Sequence, residues 1–285
     1  MTERSEIIDV WDVATFDTAL RAELDKNAEL IRAYVNRDNA IFLKHDHGSS
    51  PQGSLIRPEN EHAGPYMRLT ELIMAVMNER AIRAWHYTRM TDDDVARLWA
   101  DGIRLSTPEM LRERLDRLVA ASLLTADQAE RLFAKSPFNS NQGKIRADKF
   151  YLVSHPQALT CSGVRGLLGF WGGEVASFFV QDEEMATPLA AIGASRVIEV
   201  ATPVSATRNA YNAAEAVIGA YARSLGCVES GHAFDVCAIQ ALPRDAVLRI
   251  HTRGEPDFEA MIATYPPGYV DVSQTFWKQL TGEDN

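Results

Sequence analysis

The chain has only three cysteines, Cys161, Cys227 and Cys237, an odd number without metal-ligand spacing. That argues against a disulfide framework and fits reduced thiols in a cytoplasmic protein. No HExxH motif is present, and the seven histidines are scattered without closely paired cysteines, so a structural zinc centre is not indicated. No apolar run approaches the ~20 residues of a membrane span. Met1 to Glu6 lack the basic-then-apolar layout of a secretory leader. A cytoplasmic location without membrane contact is therefore expected. Positive charge is short as well. The net charge of −10 argues against a protein that coats nucleic acid electrostatically, though it leaves room for a local basic groove. Phosphate loops are missing too. Gly166-Leu167-Leu168-Gly169 and Gly172-Gly173 make neither GxGxxG nor GxxxxGK[ST], which removes support for a Rossmann or P-loop fold.

What remains is an ordinary globular composition, 46% apolar and 24% charged over 285 residues, enough for one large domain or two small ones. Phe16, Leu20, Leu24, Ile31 and Val35 predict one helix from about Asp17 to Asn36, and Ile41-Phe42-Leu43 a strand fragment. Residues 44–65 are a long polar loop, of a length that is usually functional. A helix from Tyr66 to about Glu79 leads into a strand around Arg83-Ala84-Trp85-His86-Tyr87-Thr88-Arg89. Thr91 or Asp92 caps the next helix, three aspartates sit in its first turn, and Gly102 ends it. Ser106-Thr107-Pro108 and Thr125-Ala126-Asp127-Gln128 start two more. Lys149 to Pro156, Arg196 to Ala201, Phe234 to Leu242 and Ala246 to His251 read as strands, with helices at Val164–Phe170 and Asn209–Leu225. The fold class is α+β, with helices weighted to the first half and antiparallel-type strands to the second.

Several residues stand out as chemistry. His86 lies at a strand end facing a helix N-terminus, with Thr88 adding a hydroxyl; it either hydrogen-bonds a ligand or is a satisfied strand histidine. Tyr151 falls on the strand face opposite Phe150 and Leu152, as a stacking ring or a half-buried core aromatic. Trp171-Gly172-Gly173-Glu174 offers either a positioned carboxylate after a tight turn or a capping glutamate. Asp235, inside an apolar strand pattern after Glu229-Ser230-Gly231-His232, marks a site or an exposed face. No serine occupies a GxSxG elbow. Cys161 with His155 or His232 would make a thiol nucleophile pair. A two-histidine phosphoesterase would need a second strand motif, and His47-Gly48-Ser49 lies in a loop.

Taken in order, His86-Tyr87-Thr88, the helix Thr91–Asp101 followed by Gly102-Ile103, Phe150 to Pro156, and Asp235 to Pro243 with Val247 to Ile250 resemble the histidine-containing branch of the NAD-dependent ADP-ribosyltransferase fold. That branch includes the diphtheria-toxin, poly-ADP-ribose polymerase and DarT-like groups. The resemblance covers roughly residues 80–255. It implies split antiparallel sheets, with residues 1–79 as an added helical region and 256–285 as a tail packed on the domain. It implies NAD as substrate, with His86, Tyr87, Thr88 and Trp171 on the cofactor and Tyr151 stacking on nicotinamide. A carboxylate would stabilise the oxocarbenium-like ribose. Asp235 holds the place where the DarT-like group has glutamate, and Glu174 or Glu229 are the alternatives. The implied activity is transfer of ADP-ribose to a macromolecule, protein or nucleic acid, by a toxin or defence effector with an antitoxin or other regulatory partner. Two other functions remain open: an inactive NAD- or ADP-ribose-binding module of the same fold, and a hydrolase or phosphoesterase using His86 with His155 or His232.

Overall fold

The computed structural model describes residues 7–42, 57–159, 161–173, 183–228 and 233–258. Helices α1 (Thr18–Lys26), α2 (Ala28–Ile41) and α3 (Ala63–Asn78) precede strand β1 (Ala81–Met90). Helices α4 (Asp92–Asp101), α5 (Pro108–Ala120), α6 (Ala126–Lys135) and α7 (Gly143–Arg146) follow, then β2 (Phe150–Val153) and α8 (Ser162–Gly169). The chain continues through α9 (Glu183–Ala191), β3 (Ala194–Pro203), α10 (Ala210–Ser224), β4 (Asp235–Ala238) and β5 (Val247–Thr252). The class is α+β: one five-stranded antiparallel sheet in the order β4-β2-β1-β3-β5.

The helix boundaries follow from side-chain chemistry. Thr91 and Asp94 form a reciprocal capping box at α4, and Thr125 and Gln128 form one at α6, each satisfying main-chain donors that the first helical turn leaves without partners. Thr107 caps α5 and Pro108 occupies its first turn, where a missing N–H costs nothing. Gly102 ends α4 at φ 80°.

The main core lies on one face of the sheet. Ile82, Ala84, Ile198, Val200 and Val236 pack there beneath α10, α3, α2 and α1. Helix α10 buries Ala213, Ala214, Ala216, Val217, Ile218 and Ala220, and these mostly small side chains let its backbone lie close to its neighbours. The N-terminal helices share this core and do not build one of their own. On the opposite face Trp85, Tyr87 and Val197 pack on Val164 and Leu168 of α8. A third cluster joins α5, α6 and α9 around the fully buried Trp171.

Five expectations require correction. The strands form one sheet and not two, with β1 and β2 as neighbours in a single five-stranded order. His86 is mid-strand and not at a strand end, since β1 runs on to Met90. The helix expected over Asp17–Asn36 is two helices, broken at Asn27, whose Nδ2 donates to the Glu23 carbonyl at 2.8 Å. Ile41 and Phe42 are not a strand; the apolar face of α2 runs on through Ile31, Val35 and Ile41, and Phe42 keeps helical angles. The Phe234–Leu242 strand shortens to Asp235–Ala238. Asn209 takes the Cys237 N–H and the Asp235 carbonyl, and Ile239 N turns away to the Ala206 carbonyl at 2.8 Å. The run Ala176–Val180 and most of residues 44–65 and 256–285 lie outside the described residues. Among the described residues, no helix is long and apolar enough to cross a membrane.

Candidate functional site

Strand β1 is fully laddered to β3, from Ala81 opposite Pro203 to Met90 opposite Ala194. Its other edge is different. There β1 pairs with β2 at one position, Trp85 opposite Val153. Ile8 N donates to the Ala81 carbonyl at 3.0 Å, and Gly172 N to the Arg89 carbonyl at 3.2 Å. Main-chain groups of alternate residues point to the same edge of a strand. The N–H and C=O of Tyr87 therefore point into the space between β1 and β2, where Tyr87 and Tyr151 are not paired. This split is closed at one end by Trp85 and Val153. At its far end stands the Trp171-Gly172-Gly173 segment, whose glycines have φ of 78° and 54°. A Cβ placed on Gly173 would lie 3.8 Å from Thr88 Oγ1, so this turn sits directly against the threonine.

His86 is the side chain that spans the split. Its Nδ1 lies 2.7 Å from the Tyr151 carbonyl oxygen, and its ring packs on Phe150 with centroids 4.3 Å apart. Burial pushes the imidazole down to about 4, helped by the nearby Arg114 charge and only partly offset by the Tyr151 bond. At neutral pH the ring is uncharged. A carbonyl can only accept, so the proton is on Nδ1 and Nε2 is a bare acceptor. On the opposite face, the Tyr87 hydroxyl accepts from Gln157 N at 2.6 Å, and burial raises its pKa to about 12. Tyr87 thus offers the split its main chain, not its phenol.

Behind Phe150 is a cavity of about 110 Å³ lined by Met90, Leu98, Ile103, Met110, Phe150 and the Asp94–Arg114 pair, among others. Asp94 is the electrostatic anchor here. It accepts from Thr91, from Trp171 Nε1 at 3.2 Å, and from Arg114 Nε at 3.2 Å and Arg117 at 3.4 Å. Burial alone would raise its pKa, but Arg114 and the other donors hold it down at about 2.

No protein-family model, curated protein or solved structure matches this chain.

The expected site residues therefore divide. His86, Thr88, the Tyr87 main chain and the glycines after Trp171 border one split. Trp171 itself is buried, its indole bonded to Asp94 and its ring under the Arg114 guanidinium at 4.6 Å. Tyr151 contributes its carbonyl; its ring takes the other face of β2, and its hydroxyl donates to the Ile145 carbonyl at 2.9 Å. Asp235 pairs with Val153, which pairs with Trp85, so its carboxylate is on Trp85's face and not His86's. Glu174 and Glu229 lie outside the described residues, as do His47 and His232. His155 bonds the Pro156 carbonyl through Nδ1 and packs edge-on against Trp11. Cys161 is exposed at the start of α8.

Sequence reasoning missed Asp94, Arg114 and Phe150. Asp94 reads only as one of three first-turn aspartates, whereas it closes the capping box with Thr91, and Arg114 is not singled out. Phe150 carried a usable signal. Strand alternation separates it from Tyr151, so one of the two had to face His86's side.

Proposed function

We propose that the split between β1 and β2 binds the nicotinamide-ribose half of NAD, and that the protein is an ADP-ribosyltransferase-like enzyme acting on a macromolecular acceptor. One arrangement carries this reading. The Tyr87 N–H and C=O, side by side on one edge, are the donor–acceptor complement of a primary carboxamide. The bare Nε2 of a neutral His86 beside them complements a hydroxyl donor, such as that of a ribose.

The transfer step needs a carboxylate near the ribose. Asp94 is committed to two arginines, an indole and a helix cap, and Asp235 is on the other face. Glu174, one residue after Gly173, and Glu229 are the remaining candidates. Asp235's placement is the observation that favours a second reading, an NAD- or ADP-ribose-binding module without turnover.

Calorimetry with NAD and an assay of nicotinamide release separate these. His86→Ala is expected to weaken NAD binding by about tenfold, the value of one hydrogen bond in a buried site. Unchanged affinity would sink the assignment of the site. Affinity should be level from pH 8 down to about 5 and fall as pH drops through about 4, because protonation turns the Nε2 acceptor into a donor. Release abolished in Glu174→Gln, Glu229→Gln or Asp235→Asn would identify the carboxylate. Tight binding with no release in the wild type would favour the inactive module.

A further inference from the structure

We propose that residues 7–16 are a proton-sensitive latch on the closed end of the β1–β2 split, with Asp9 as its sensing group. The segment grips both lips. On β1, Ile8 N donates to the Ala81 carbonyl at 3.0 Å and Arg83 N to the Ile8 carbonyl at 2.9 Å. Just past β2, Trp11 Nε1 donates to the Ser154 carbonyl at 2.9 Å. The turn between these two grips is held by Asp9, whose Oδ1 accepts from Trp11 N at 3.0 Å and whose own N–H donates to Thr15 Oγ1 at 2.9 Å. Asp9 is 2% exposed and Trp11 5%.

The charges around Asp9 are poorly matched to a buried carboxylate. From β1 comes Arg83, but its Nε already lies 3.2 Å from Glu199 Oε1 of β3. Glu199 and Asp12 repel a negative Asp9. Glu199 is in turn met by His251 Nε2 at 3.3 Å and by the Arg249 charge, both from β5. Next to Trp11 are the Arg223 guanidinium of α10, 5.5 Å from the ring, and His155. Burial therefore holds the Asp9 proton up to about pH 6, against the Trp11 N–H bond and then the Arg83 charge, with Asp12 and Glu199 reinforcing. The docked-state pKa is raised above the free value, so latching is strongest below pH 3.8 and declines as pH rises through 6. His86 has the opposite sign. Its lowered pKa weakens the whole fold as pH falls from 6.5 through about 4. The latch must therefore be read locally.

The test is amide hydrogen exchange on the full, ligand-free chain at pH 5 and pH 7.5, so its result does not depend on the NAD reading. Protection of the Arg83 and Trp11 amides, relative to Ile198 in the β1–β3 ladder, is expected to fall about tenfold from pH 5 to pH 7.5, the share of the Asp9 linkage within that interval. Asp9→Asn keeps the acceptor for Trp11 N and should restore the protection at pH 7.5, leaving it independent of pH. Equal wild-type protection at both pH values overturns the latch, as does an Asp9→Asn protein that keeps the wild-type decline. If Asp9→Asn does not fold, the carbon-13 titration of the Asp9 carboxyl in the wild type decides. A midpoint near 6 supports the proposal, and one near 4 overturns it.

Discussion

Asp94→Ala is expected to destabilise the protein by about 3–5 kcal/mol, the cost of leaving a buried ion pair without one partner. The side chain is 8% exposed and receives Thr91, Trp171, Arg114 and Arg117. Removing it leaves the Arg114 guanidinium, 19% exposed, without its carboxylate, strips the Trp171 indole of its acceptor, and deletes half the capping box of α4. Asp94→Asn keeps the shape and the acceptor oxygen, so its loss should be smaller, about 1–3 kcal/mol. The pH dependence has a definite sign. The folded pKa of about 2 is below the usual 3.8, so the Asp94 contribution is complete above 3.8 and is lost as pH falls through 2. Urea unfolding of both variants at pH 7 and pH 3 measures this. A loss below about 1 kcal/mol for Asp94→Ala at pH 7 would mean the charges are satisfied by other groups, contrary to the geometry.

Gly102→Ala is expected to cost about 3 kcal/mol or more, since overpacking and backbone strain add at this position. Gly102 has φ 80° and ψ −159°, a region left almost entirely to glycine. An added Cβ would stand 2.3 Å from the Leu242 carbonyl oxygen and 2.7 Å from Arg244 N and the Pro243 carbonyl carbon. All three are backbone atoms and cannot rotate away. The chain would have to part where Ile103 and Leu242 exchange main-chain hydrogen bonds of 2.8 and 2.9 Å. Gly226 is the control. Its φ is 81°, yet nothing lies within 4 Å of its Cβ position. Gly226→Ala should therefore show the conformational part alone, about 1 kcal/mol. Equal thermal shifts in the two variants would remove the steric half of the argument.

Local chemistry made most of the helices legible. The Thr91 and Thr125 capping boxes, Pro108 and Gly102 all act where the sequence places them, because a cap depends on residues within one turn. Expectations failed where the deciding partner is remote. The Phe234–Leu242 strand ends at Ala238, beyond which Ile239 N bonds the Ala206 carbonyl and Leu242 N the Ile103 carbonyl, remote partners that no pattern in the strand reveals. Asn27 is the local exception: its side chain takes the Glu23 carbonyl four residues back and interrupts a stripe that reads as continuous. At the candidate site, His86 was legible as a polar residue on a strand, and the paired glycines as a tight turn. Which carboxylate accompanies His86 was not. Facing is set by register, and the register of β4 on β2 depends on contacts from α10 and the strand ends. The Asp94–Arg114 pair was invisible for the same reason, since α4 and α5 are joined by an extended stretch whose course is set by remote bridges, Ile103 to Leu242 and Ser106 to Lys149.

The single pair between Trp85 and Val153 has a consequence for how the molecule yields. Strands β1 and β3 are bound by a long continuous ladder, β3 and β5 by a shorter one with a register shift at Glu199–Val200, and β2 and β4 by a short one. The line between β1 and β2 therefore has few main-chain bonds, and side chains hold it on both faces, Ile82 with Val236 on one and Trp85 with Val153 on the other. His86 stands at the line with the fewest main-chain bonds, so a molecule entering there would displace side-chain packing and not a hydrogen-bond ladder.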